Sequence, residues 1–145
     1  MDTELKLIIG GSHTDNGGNI VFINDFDMQA VKRFYRIKHP DIDTIRGGSG
    51  HKIEQRWFHV SFGAFLVKLI KIDDWITPHP WLPIKKIVLK EADHAVLRIP
   101  SGYATAVQAL EENSEFMVFA NYPIEHAKDD DYLFPVDYFK TKHEN

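Results

Sequence analysis

An all-β domain, a sandwich or barrel of short strands, is what this sequence predicts, and two observations predict it. Short runs rich in Val, Ile, Phe and Tyr recur along the chain. Nearly every run is bounded by turn chemistry, and regular spacing of such runs marks sandwiches and barrels. Residues 5–9 stop at Gly10-Gly11, and residues 19–23 follow Asp15-Asn16-Gly17-Gly18. Residues 31–38 stop at His39-Pro40, and residues 55–62 and 64–72 flank Gly63. Residues 84–89, 94–99, 103–110 and 115–122 complete the series. Helix signals are few: one turn within residues 24–31, and a short helix or irregular wrap over residues 129–139. The stretch 73–83 holds Pro78, Pro80 and Pro83. Proline cannot donate to a sheet ladder, so this stretch is a connection. Its Trp75 and Trp81 are expected to pack on a barrel face or on a neighbouring subunit.

The 145 residues are expected to form a single domain, 1–145. Hydrophobic residues at 43% and charged residues at 26% suffice for one core. A net charge of -4 argues against non-specific nucleic-acid binding, which needs a basic field, and leaves room for a local basic pocket. The chain has no cysteine, so disulfides, thiolate metal sites and cysteine nucleophiles are excluded. Its first residues lack a basic start with a long apolar stretch, and no run approaches the ~18–20 apolar residues that span a bilayer. A cytoplasmic protein without a membrane partner is the expectation.

Chemistry concentrates between residues 46 and 56, where Arg46, His51, Lys52, Glu54, Gln55 and Arg56 stand together. Histidine, with an unperturbed pKa of ~6.5, can accept or donate a proton at neutral pH. Arginine and lysine suit phosphate and enolate charge. The plainer reading is a sheet edge with solvated charges. The glycines of Arg46-Gly47-Gly48-Ser49-Gly50-His51-Lys52 tilt the balance toward a site, because they let backbone approach a ligand. Alternation through residues 55–62 sets Trp57 and His59 on one face and Phe58, Val60 and Phe62 on the other. The second set reads as core; the first lines either a pocket or an interface. The remaining histidines read as loop or surface residues, and Asp129-Asp130-Asp131 reads as a solvated turn. Ile99-Pro100-Ser101-Gly102-Tyr103 reads as a tight Pro-x-Gly turn.

Taken in order, these segments resemble the WxcM-like cupins, the dTDP-4-keto-6-deoxyglucose 3,4-ketoisomerases. They are more distantly similar to dTDP-4-dehydrorhamnose 3,5-epimerases. Residues 15–22 resemble the family's Asp-x-Arg-Gly opening, and Lys32-Arg33-Phe34-Tyr35 its Lys-Arg-Val-Tyr strand. The stretch from Arg46 to Lys52 resembles its Arg-Gly-x-His-Ala-His-Lys motif. Residues 97–102, 118–122 and 129–132 resemble its proline turn, its Leu-Ala-Ser-x-x-Tyr segment and its Asp-Asp-Tyr segment.

The resemblance implies a cupin jelly roll, a homodimer, and a sugar nucleotide bound in the barrel mouth. It implies metal-free proton transfer beside a ketone through an enolate or enediol, with no cofactor. His51 matches the second family histidine and carries the proton; Tyr35 acts as an acid. Arg46, Lys52 and Arg56 steady diphosphate or enolate charge, and Trp57 and Tyr103 stack on the base or sugar. The departures are equally specific. Ser49 stands where the first histidine is expected, and Val118 falls near the epimerase tyrosine. Metal-binding cupins carry a histidine where this chain has Thr105, so His51 and Glu54 are at most half of a four-ligand set, although His59 could add one. The competing readings are a cupin that binds a sugar nucleotide without turning it over, and a metal-dependent cupin.

Overall fold

The computed structural model of the chain describes residues 4–140. Five strands form a first antiparallel sheet in the order β1 (Lys6–Ile9), β9 (Ala95–Ile99), β6 (Arg56–Phe62), β11 (Ser114–Ala120) and β4 (Arg33–His39). Five form a second antiparallel sheet: β12 (Tyr132–Leu133), β5 (Ile45–His51), β10 (Tyr103–Ala109), β7 (Ala64–Lys71) and β8 (Ile84–Lys90). A hairpin of β2 (Gly11–Asp15) and β3 (Gly18–Phe22) stands apart from both. The only α-helix among the described residues is one turn, α1 (Ile124–Ala127).

The inner faces of the two sheets share one core, as alternating strands require. Phe58, Val60, Leu97, Ile99, Phe116 and Val118 from the first sheet meet Phe65, Val67, Leu69, Leu89, Val107 and Ala109 from the second. Expected and observed architecture differ in closure. No strand pairing joins the sheets among the described residues, so the domain is a sandwich rather than a closed barrel. The chain changes sheet at sharp corners that interrupt the ladder. Gly63, at φ 78°, turns β6 into β7, and Gly102, at φ 94°, ends the Pro-x-Gly corner between β9 and β10. Both angles lie where side-chain-bearing residues are strained. The Gly102 corner also ties the layers together: its N–H donates to the His51 carbonyl, and its own carbonyl accepts from Ile72 N–H.

The glycine-rich stretch expected to lead into a strand is itself the strand β5. Its register against β10 slips between Thr105 and Ala106, leaving Gly48 as a bulge at φ 73°. A side chain on Gly48 would fall directly on the Phe134 carbonyl, so the C-terminal segment can lie against β5 only because glycine is there. Phe62, expected in the core, is 55% exposed because the register of β6 with β11 shifts between Glu115 and Phe116, so that Phe62 pairs with the outward Glu115. No helix forms within residues 24–31, but hydrogen-bonded turns do: Phe26 N–H donates to the Ile23 carbonyl and Val31 N–H to the Met28 carbonyl, and the turns carry Phe26 and Val31 onto the outer face of the first sheet.

Candidate functional site

Inward-facing positions at one end of the sandwich are polar where the rest of the inner faces are apolar. On β4, alternation places Arg33 and Tyr35 on the inner face, above Ile37. On β5 the bulge restores alternation so that Arg46, Ser49 and His51 face inward opposite Val107, Thr105 and Tyr103. Arg56 opens β6 on the same side. Together these residues line a cavity of about 450 Å³, with Ile124, Ala127, Lys128, Asp131 and Leu133 of the C-terminal segment across its mouth. Beneath them a void of about 30 Å³ continues past Ser49 and Thr105 to Val118 and Phe116. That is room for an ordered water beside two hydroxyls.

His51 is 6% exposed, and its ring is held from one side. Its Nδ1 lies 2.9 Å from the Asp130 carbonyl oxygen. A carbonyl only accepts, so Nδ1 carries the proton and Nε2 holds the lone pair of the neutral ring. Nε2 is buried and has no hydrogen-bond partner among the described residues. Burial first, and then the Arg56 guanidinium, hold the His51 pKa below its ordinary 6.5; Glu54 and Asp130 oppose the shift. The imidazole is therefore neutral at pH 7 and presents a proton-accepting nitrogen, the state a general base needs.

Two buried carboxylates organise this end of the fold. Glu54, 2% exposed, accepts from Arg33 Nη2 at 2.8 Å and from Arg56 Nε, and lies 3.7 Å from His51 Nδ1. It fixes both guanidiniums beside the Tyr35 ring, with their central carbons 5.3 and 6.0 Å from its centroid. Asp130, 1% exposed, accepts from the backbone N–H groups of Lys52, Ile53 and Glu54 at 2.7–3.0 Å. It thereby locks the turn that carries Glu54. Two cations share one buried acid, and Arg46 at the exposed mouth makes no ion pair among the described residues, so the cavity favours an anion.

The structure brings together four of the residues expected from sequence: His51, Tyr35, Arg46 and Arg56. Three others are placed elsewhere. Lys52 follows the strand end, and the Asp130 anchor on its backbone leaves the side chain exposed and outside the cavity lining. Trp57 alternates with the inward Arg56 and Phe58, so it faces outward, buried under Phe26 and Phe119. Tyr103 is half-buried against the core and does not line the cavity. Of the acidic run read as a solvated turn, Asp129 and Asp131 are exposed but Asp130 is buried. His39, read as a loop residue, is 4% exposed at the end of β4, its ring edge-on to Phe65. His59 lies on the outward face, its Nδ1 2.9 Å from the Ala95 carbonyl. Among the described residues, no three His, Asp or Glu side chains converge as metal ligands would.

Both buried histidines tie stability to pH. Burial and Arg46 lower the His39 pKa, against Asp41, as burial and Arg56 lower that of His51. Each neutral ring thus contributes stability that is complete above the unfolded value near 6.5. It is lost as pH falls from there through the lowered folded value, at no more than about 1.4 kcal/mol per pH unit for each ring. Thermal melts between pH 7.5 and 5.5 are expected to show this fall, and His39→Leu to flatten it. A midpoint that does not change with pH would contradict the assignment.

No protein-family profile matches the chain, and no curated protein sequence does. Solved structures do match. A dTDP-4-dehydrorhamnose 3,5-epimerase from Sulfolobus tokodaii superposes with a TM-score of 0.74 at 20% identity, over 94% of this chain and 80% of that one. A sugar 3,4-ketoisomerase from Thermoanaerobacterium thermosaccharolyticum, in complex with TDP, gives 0.67 at 23% identity over 95% and 93%. A 3,4-ketoisomerase from Helicobacter canadensis gives 0.65 at 18% over 86% and 89%. What the chain shares with these proteins is the fold: antiparallel sheets of the cupin-like jelly-roll kind. The likeness covers 86–95% of the chain.

Proposed function

We propose that this chain is a sugar-nucleotide isomerase or epimerase. It takes a dTDP-linked or similar 4-keto-6-deoxy sugar into the cavity between the sheets and moves a proton beside the ketone. The observation that carries this reading is the unpartnered Nε2 of a neutral, buried His51 in a cavity walled by Arg33, Arg46 and Arg56. His51 takes the proton α to the carbonyl, and an enolate or enediol forms. The guanidiniums beside Tyr35 offset the developing negative charge, and reprotonation yields the isomer. Tyr35, on the same wall, is the candidate proton donor. Deoxysugar or surface-polysaccharide synthesis in the cytoplasm is the setting such a substrate implies.

A second reading, a binder without turnover, is favoured by one observation. Ser49 occupies the cavity wall where the resemblance calls for a histidine, and a hydroxyl cannot accept a proton as imidazole does. Both readings require the nucleotide. Thymidine diphosphate is expected to bind with an affinity that falls as salt rises, because charge-assisted bonds to phosphate anchor it. Calorimetry that finds no binding by thymidine or uridine diphosphate would remove both readings. A homodimer accompanies the proposal, supported by Ile9, Ile20 and Val21, which stand exposed on β1 and the free-standing hairpin. Sedimentation giving the monomer mass at micromolar concentration would remove the dimer alone.

A further inference from the structure

A second cavity, of about 630 Å³, is larger than the one that holds His51. It lies on the outer face of the second sheet. There β10 presents Ala104 and Ala106, β7 presents Lys68 and Ile70, and β8 presents Ile84. The two alanines leave a recess that larger residues would fill. Its far wall is the C-terminal segment, and that wall is fastened in place. Phe134 N–H donates to the Gly48 carbonyl at 2.7 Å, Tyr138 Oη to the Pro78 carbonyl at 2.5 Å, and Lys140 N–H to the Pro80 carbonyl at 2.8 Å. Phe139 is buried against the floor with Ile70 and Ala104, and Trp81 overhangs the rim, half exposed. The recess is a preformed apolar chamber of the size that holds small molecules.

Its charge is one-sided. Lys68 lines it from the sheet and Lys140 from the C-terminal wall. Lys68 stands directly opposite Lys86 in the register of β7 with β8, on the same outward face. Like charges opposite one another across a ladder are destabilising unless an anion lies between them. Among the described residues none of the three lysines makes an ion pair, and Asp137, the one acid lining the chamber, is paired with none of them. β5 and β10 separate this chamber from the His51 cavity; Thr105 borders both the chamber and the void beneath that cavity.

We propose that this chamber is a second binding site, for a small amphipathic anion: an apolar body seated on Ile70, Ile84 and Phe139, with a carboxylate or similar head held between Lys68 and Lys140. The test uses octanoate and its neutral counterpart 1-octanol, titrated into the full chain and followed by amide NMR. Octanoate is expected to shift the amides of Ile70, Ala104 and Ala106, and to bind about tenfold or more tightly than octanol, as one charge-assisted bond supplies. In a Lys68→Met, Lys140→Met double variant that discrimination should vanish while octanol binding persists. Thymidine diphosphate binding should be unchanged in the variant, which keeps this inference separate from the proposed function. Shifts confined to the His51 cavity or to the β2–β3 hairpin, no shift at millimolar octanoate, or a double variant that still prefers octanoate would each overturn the proposal. If the double variant melts well below the native protein, Lys140→Met alone, on the exposed C-terminal segment, is read in its place.

Discussion

Replacing His51 with asparagine is expected to slow exchange of the proton α to the ketone by about 10²–10⁴-fold, the usual contribution of a general base. Asparagine is of similar size and can still donate to the Asp130 carbonyl, but its amide does not take up a proton at neutral pH. Among the described residues no second imidazole lines the cavity to substitute for it, and Ser49 presents only a hydroxyl there. Thymidine diphosphate binding should change little, because Arg33, Arg46 and Arg56 remain. The same imidazole sets the pH profile. Since burial and Arg56 hold its pKa below 6.5, exchange should be level at neutral pH and decline on acidification as His51 takes up a proton. A variant that exchanges as fast as the native chain removes His51 from the mechanism.

Glu54→Gln should have the largest effect on stability. The amide keeps the shape of the carboxylate but leaves the two guanidiniums of Arg33 and Arg56, whose side chains are only 19% and 14% exposed, without their shared acid. Breaking a buried pair on one side typically costs about 3–5 kcal/mol. In a domain of this size each kcal/mol lowers the midpoint by roughly 2–4 °C, so a fall of about 10 °C is expected. The loss also removes an acid that supports the His51 imidazolium, so the acid limb of the exchange profile should move to lower pH. Thymidine diphosphate should raise the variant's midpoint more than the native one, because phosphate replaces the missing charge. A midpoint within a degree of native would show that Glu54 does not hold the arginines as described.

Much of this was readable from the sequence for a definite reason. Core strands such as β6, β7 and β11 carry period-two alternation bounded by turn residues, and such strands announce themselves. β5 does not, because its strand character comes from neighbours: β10 and β12 pair with it on both sides, and its glycines make room for Phe134 and Trp75. Alternation separated Trp57 from Phe58 correctly, yet could not say which face held the cavity. Both faces of β6 are covered, the outer one by Phe26 and Phe119. Arg33 was within reach, since it lies two residues from Tyr35 on one strand and so on the same face. Asp130 was not. It meets the turn after β5 across 76–78 positions of sequence, and a run of three aspartates looks solvated until the fold buries the middle one. His39 escaped for the same reason, as a histidine before a proline carries no local sign that Phe65 and Phe116 enclose it.

The central claim is that this cavity moves protons rather than only holding a ligand. It is tested most directly by incubating the native protein with dTDP-4-keto-6-deoxyglucose in deuterium oxide and following the sugar by mass spectrometry and NMR. The wash-in of label reports α-proton exchange even when net conversion is unfavourable. The account predicts deuterium at a carbon beside the ketone, at a rate that depends on His51. Tight binding of that sugar nucleotide, and of other 4-keto sugar nucleotides, with no deuterium incorporated would contradict it and leave the chain a binding protein.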